Sequence, residues 1–175
     1  GRAMYLGIDL GTSAVKVAVV DDHDEIRGSA SASLTSERPQ PLWSEQDPEA
    51  WWRATDEAIR SLPADLRAAV KGIGLSGQMH GAVLLGRDDK PLRPAILWND
   101  GRSSVECAEL EAREPQSRAI TGNLAMPGFT APKLLWTRKH EPEVFERVAR
   151  VLLPKDYLRL RLTGEKVSDM SDASG

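Results

Sequence analysis

A chain of 175 residues is long enough for one domain, or one with a small extension, around a sizeable core. Its 41% hydrophobic and 28% charged residues fit a soluble globular protein, and no apolar run approaches the ~20 residues that span a bilayer, so no membrane segment is expected. A formal charge of -3 with scattered Lys and Arg offers no basic field to a nucleic-acid backbone, and the lone Cys107 excludes an internal disulfide and suits a reducing, cytoplasmic compartment.

Residues 1–3 precede Met4 and read as a cloning remnant. Residues 5–10 then form a short apolar run, and Val15, Val17 and Val19 alternate with Lys16 and Ala18, so two strands so close in sequence predict a hairpin. A polar turn at residues 21–25 leads to a third antiparallel strand over 26–34. His23 in that turn has no second ligand cluster and is assigned no role.

Asp47 and Pro48 mark the start of a helix reaching to about Leu62, with Trp51, Ala54, Ala58 and Leu62 on its core face. Glu45, Asp47 and Glu49 read as an acidic cluster favouring that helix start rather than as paired catalytic carboxylates. Residues 70–76 form a strand, and a helical crossover places it parallel to, and beside, the first. Beyond its end lie Gln78, Met79 and His80, where open α/β sheets gather ligands.

Residues 81–85 form another strand, 87–90 its turn, and 93–98 a return segment ending in Trp98-Asn-Asp-Gly-Arg102. Ser103 caps a helix to about Arg113, with Glu106 completing a capping box and Cys107 expected as a buried or neutral thiol. A shorter helical stretch from Pro115 is broken by Gly122, residues 126–129 turn, and helices follow at 132–140 and from Pro142. A strand at 151–153 precedes a last helix from Pro154, with Gly164 at its C-terminal end.

Two groups of residues carry candidate chemistry. In Asp9-Leu-Gly-Thr-Ser13 the amides of Gly11, Thr12 and Ser13, with two hydroxyls, can shape an anion-binding concavity; Asp9 at its rim can hold Mg²⁺ through water, and Lys16 adds positive charge. The same residues also suit a plain hairpin turn, since Asp and Gly are favoured there for backbone reasons alone. Gln78, His80, Asn99, Asp100 and Arg102 supply donors and acceptors for a polyol from two loops. His80 taken alone suits a structural or surface role better than a ligand contact, and Trp98 suits either a platform beneath a sugar or the core.

Gly7-Ile-Asp-Leu-Gly-Thr-Ser13 resembles the first phosphate motif of the actin-like ATPase superfamily, in particular of the carbohydrate kinases that include glycerol kinase and xylulokinase. Pro41-Leu-Trp-Ser-Glu-Gln-Asp-Pro48, Gly77-Gln-Met-His-Gly81, Ile96-Leu-Trp-Asn-Asp-Gly-Arg102 and Thr121-Gly-Asn123 are similar to the bacterial xylulokinases among them. So are Pro127-Gly-Phe-Thr-Ala-Pro-Lys133, Leu153-Pro-Lys-Asp-Tyr157 and Ser168-Asp-Met-Ser-Asp-Ala173.

The resemblance implies an α/β domain of the actin-like, ribonuclease-H-like type: a mixed sheet of three antiparallel strands continued by parallel ones, with helices on both faces. It implies ATP and Mg²⁺ as cofactors, with Asp9 near the metal and the transferred phosphate, and Gly11, Thr12 and Ser13 near the phosphates. D-xylulose or a related ketose is implied as substrate, contacted by Met79 and His80. The family's catalytic base is a downstream aspartate in a glycine-rich motif that does not occur before Gly175, and Asp156, Asp169 and Asp172 match other segments. Residues 4–175 are therefore expected to be the N-terminal lobe of a two-lobed kinase, inactive without its adenosine-binding second lobe. A homodimer is an open expectation for the full-length protein, and a kinase for another pentulose or polyol, or a non-catalytic sugar-binding module, remains an alternative.

Overall fold

The alternation in the first twenty residues becomes two strands, β1 (Met4–Leu10) and β2 (Ala14–Asp21), paired antiparallel with Asp9 opposite Lys16. The structure is a computed structural model that describes residues 3–78, 80–112 and 130–164. The motifs expected at residues 121–123, 127–129 and 168–173, and Met79, lie outside the described residues. The described chain divides into two units: residues 3–35, 49–78 and 155–164 make the first, and residues 36–48, 80–112 and 130–154 the second.

In the first unit, β3 (Ile26–Ser33) extends the hairpin, and β5 (Val70–Gly77) lies parallel to β1, giving the strand order β3-β2-β1-β5. The meander and the parallel return beside the first strand are as the sequence predicts. Leu6, Ile8 and Leu10 share the inner face with Val15, Val17 and Val19, all buried. On this face lie α1 (Pro48–Arg60), α2 (Ala64–Ala68) and α6 (Pro154–Gly164). Buried Trp51 of α1 meets Tyr157 of α6 edge-to-face at 6.2 Å, and each such large side chain withdrawn from water stabilises by roughly 1.5–3 kcal/mol.

The structure adds detail to this unit. Helix α1 ends at Arg60 rather than Leu62, and Pro63, which suits a helix start but not a helix interior, begins the separate turn of α2. β5 is the strand that, among the described residues, continues this sheet in parallel. Among the described residues the outer face, with Tyr5, Asp9, Lys16, Ser29, Ser31 and Ser76, is open.

The second unit is built on an antiparallel sheet of order β4-β7-β6-β8, formed by β4 (Glu45–Gln46), β6 (Gly81–Leu85), β7 (Ala95–Leu97) and β8 (Arg150–Leu152). Every residue of β6 and β7 is buried, and Ala82, Leu84, Val151 and Leu134 form a core cluster. Leu134 comes from α4 (Ala131–His140), and Val144 and Phe145 of α5 (Pro142–Arg147) pack against the cluster.

Glu45 is thus a buried strand residue and not part of a helix-start cluster. Helix α3 (Ser104–Ala112) forms as expected, but Glu106 is buried and accepts from Lys139 Nζ at 3.2 Å instead of closing a capping box. Two carboxylates, Glu109 and Glu106, hold the Lys139 ammonium above its ordinary pKa, the Glu109 hydrogen bond contributing most. Cys107 is exposed rather than buried, with Sγ 3.9 Å from Glu111 Oε1 one turn along the same face.

Candidate functional site

The phosphate-motif residues and Gln78 fall in the first unit, and His80, Trp98, Asn99, Asp100 and Arg102 in the second. In the first, the turn between β1 and β2 is closed by the Gly11 amide donating to Ala14 O at 2.9 Å. That N–H is therefore spent inside the hairpin, and Gly11 can serve an anion through close approach rather than as a donor. A Cβ there would lie 3.0 Å from Ala14 O, a contact that a side chain makes only by displacing the turn. Thr12 is half-buried and Ser13 exposed, and the Ser13 carbonyl accepts from Leu34 N at 2.8 Å, which anchors the far end of the turn.

Asp9 and Lys16 face each other across the ladder on the open face, both exposed, and neither is hydrogen-bonded or ion-paired among the described residues. Ser76 of β5 continues the same row beside Asp9. Around them is a depression of about 710 Å³ whose floor is made of Gly7, Ala18, Ala30 and Gly74. Small side chains at these positions open the surface, leaving a carboxylate and an ammonium as its charged groups. An exposed carboxylate without a protein partner suits a hydrated Mg²⁺, which takes one or two carboxylates and keeps waters, and the neighbouring ammonium suits a phosphate. Among the described residues no group of three or more His, Cys, Asp or Glu is arranged to enclose a metal ion.

Gln78 lies at the turn between β1 and β2. Its Nε2 donates to Gly11 O at 2.8 Å and its backbone N–H to Leu10 O at 2.8 Å, so the side chain is buried against the turn it was not expected to touch. Gly77 makes this approach possible: its φ is +116°, and an added Cβ would collide with the main chain of Leu10.

In the second unit, His80 is exposed and begins the approach to β6. After β7, the Asp100 amide donates to Leu97 O at 3.1 Å and closes a tight turn that leaves Trp98 57% exposed and Asn99 exposed. The alternative of Trp98 as a core residue is excluded. Asp100 and Arg102, expected to face a sugar, instead have fully enclosed side chains. The Asp100 carboxylate accepts from the Ser44 amide at 2.6 Å, from the Arg102 amide at 2.9 Å, and from Arg102 Nε and Nη2 at 2.9 and 2.6 Å.

Arg102 also meets Glu45 at 2.8 Å, and its guanidinium lies 3.9 Å over the Trp43 ring and 4.9 Å from Trp136. Glu45 in turn accepts from Arg93 Nη2 at 2.6 Å, and Arg93 Nε reaches Glu141 at 2.7 Å. Nothing local in the sequence revealed that Trp43, Glu45, Arg93, Trp136 and Glu141 would gather around Arg102, because they come from separate stretches of the chain. Lys133, in the first turn of α4, has its pKa lowered, chiefly because burial disfavours its charge; the attraction of Asp100 opposes this.

Residues 4–175 match the FGGY family of carbohydrate kinases, N-terminal domain. The chain belongs to that family. It is 62% identical over 174 residues to the xylulose kinase of Escherichia coli (strain K12), covering 98% of this chain and 36% of that protein. The crystal structure of a xyloylose kinase from Brucella ovis is similar at 56% identity and a TM-score of 0.82, over 92% of this chain and 34% of that one. A gluconate kinase from Lactobacillus acidophilus is similar at 29% identity and a TM-score of 0.74, over 94% of this chain and 34% of that one. The mixed α/β architecture is that of the FGGY kinases, whose fold is actin-like. The chain spans about a third of the length of the relatives it matches, 36% for the Escherichia coli protein.

Proposed function

We propose that this chain supplies phosphate-side and sugar-side residues to an ATP-dependent kinase that converts D-xylulose to its 5-phosphate. Residues 4–175 form the first lobe of that enzyme and the remaining length of the relatives the second. The observation that carries this reading is the 62% identity to a xylulose kinase across 98% of the chain.

On the phosphate side, Lys16 and the Gly11–Thr12–Ser13 turn hold the phosphates, with Asp9 at their edge as a water-mediated anchor for magnesium. A magnesium ion held there would neutralise charge developing on the transferred group. On the sugar side, His80 and Asn99 pair with hydroxyls, Trp98 lies against the carbon skeleton, and Met79 joins them by the resemblance of Gly77-Gln-Met-His-Gly81. In the reaction a sugar oxygen forms a bond to the γ-phosphorus as the bond to the β-phosphate bridging oxygen breaks, and the hydroxyl proton passes to a base. That base is assigned to the second lobe; among the described acids, Asp156 is ion-paired to Arg159 at 3.2 Å and is not a candidate. ATP as co-substrate and a lone thiol favour the cytoplasm.

The deciding experiment is a coupled assay of the full-length kinase with D-xylulose, D-ribulose, D-gluconate and glycerol. The expected result is the highest kcat/KM on D-xylulose and a fall in kcat of about 10²-fold or more in Asp9→Asn, the usual cost of a preorganised charge. A preference for another acceptor would overturn the substrate assignment, and an Asp9→Asn variant with parental kcat would overturn the phosphate site.

A further inference from the structure

Short polar interactions of the second unit converge on the Trp98–Arg102 loop, yet among the described residues none involves the two side chains of that loop that face outward. Asp100 is saturated by the Ser44 amide and by three groups of Arg102, and has no capacity directed at solvent. Arg102 is held flat against Trp43, itself edge-to-face with Trp136 at 5.3 Å, and is paired a second time by Glu45. Gly101 N donates to Leu42 O at 2.6 Å, and Leu42 has φ +71°, a left-handed conformation that a branched aliphatic residue adopts only when its surroundings fix it. What remains exposed is Trp98 and Asn99.

We propose that Asp100 and Arg102, clamped by Trp43, Trp136 and Glu45, are positioning residues that set the orientation of Trp98 and Asn99 toward the ketose and so determine acceptor recognition. This rests on the reading of Trp98 and Asn99 as sugar-facing, and it reassigns Asp100 and Arg102 from contact with the sugar to support beneath it. The physical basis is preorganisation: a two-residue turn presents an aromatic face and an amide reproducibly only if its rotamers and backbone are fixed from below, and small misplacements of such groups are costly. A guanidinium suits the role because its planar fork pairs bidentately with a carboxylate while its faces stack on aromatic rings, which an ammonium does not do.

The test compares Arg102→Lys, Asp100→Asn, Trp43→Phe and Trp98→Ala in the full-length kinase, measuring KM for D-xylulose and for ATP, kcat and melting temperature. Arg102→Lys and Asp100→Asn are expected to raise KM for D-xylulose by about tenfold or more, in the range that misplacement of positioning groups produces, while KM for ATP stays within about twofold. Trp43→Phe, which keeps an aromatic face over the guanidinium, is expected to retain near-parental KM for both substrates. Unchanged KM for D-xylulose in Arg102→Lys and Asp100→Asn would overturn the proposal. So would an equal loss for both substrates with a lowered melting temperature, which would make the clamp purely structural. If Trp98→Ala itself leaves KM for D-xylulose unchanged, the sugar-site reading fails; if Trp98→Ala raises it and the clamp variants do not, the positioning inference alone fails.

Discussion

Gln78 Nε2 donates to the carbonyl of Gly11 at 2.8 Å, joining residues 67 positions apart and tying the end of β5 to the turn between β1 and β2. Parallel pairing of β1 with β5 in the register Leu10 opposite Gly77 brings the two strand ends together, and the Gln78 amide follows into the turn. The side chain is therefore a brace for the β1–β2 turn.

Gln78→Leu keeps the volume and removes the donor to Gly11 O. A net hydrogen bond of this kind contributes about 1 kcal/mol, so stability should fall by that order. Kinetically, KM for MgATP in the full-length kinase should rise while KM for D-xylulose changes little. A selective rise in KM for D-xylulose would instead place Gln78 against the sugar.

Much of the first unit was legible in the sequence because its signals are local. Val15, Val17 and Val19 alternate cleanly, Gly11 marks the turn, and a crossover helix between strands dictates a parallel return. The outward row of Asp9, Lys16 and Ser76 followed from strand period alone once the register was known. The second unit was less legible for the opposite reason. β4 is two residues long, too short for periodicity, and Glu45 within it is the hub on which Arg93 and Arg102 converge from elsewhere in the chain. Asp100 and Arg102 read as exposed loop polars because nothing local revealed that Trp43 and Trp136 would enclose them. A buried charge network announces itself in sequence only as scattered Arg and Glu.

Gly77→Ala tests whether the approach of β5 to the turn depends on its backbone. Alanine at φ +116° is strained and its methyl group meets the Leu10 main chain, so a loss of roughly 1–3 kcal/mol is expected in chemical denaturation. Unchanged stability would show that the strand end relaxes freely. In the same variant Gln78 loses its purchase on Gly11, so KM for MgATP should rise with it.

Asp21 gives the first unit an acid-sensitive support. Its carboxylate pKa is lowered, above all by the Glu25 amide at 3.0 Å, with the His23 amide at 2.8 Å and Arg27 at 3.3 Å adding to the effect. A group held below its unfolded value stabilises the fold above the ordinary carboxylate pKa of about 3.9, and that contribution is lost as pH falls through the lowered native value. Asp21→Asn should therefore be less stable than the parent at neutral pH, with the difference shrinking below about pH 4. Melting curves across pH 2 to 7 would show the two converging; parallel curves would mean that Asp21 does not titrate in this way.

His80→Ala separates the sugar side of the proposed kinase from the phosphate side. His80 is exposed and follows Gly77 and Gln78, so its ring can be removed without opening the buried core of either unit. If the imidazole pairs with a ketose hydroxyl, its loss should lower kcat/KM for D-xylulose by the equivalent of about 1–3 kcal/mol, the cost of leaving a polar partner unmatched. KM for ATP and melting temperature should stay close to parental values, and discrimination between D-xylulose and D-ribulose should narrow, because a hydroxyl that no longer meets the ring no longer distinguishes the two sugars. Parental kcat/KM for both ketoses would return His80 to a surface role and leave Trp98 and Asn99 as the sugar-facing residues of the second unit.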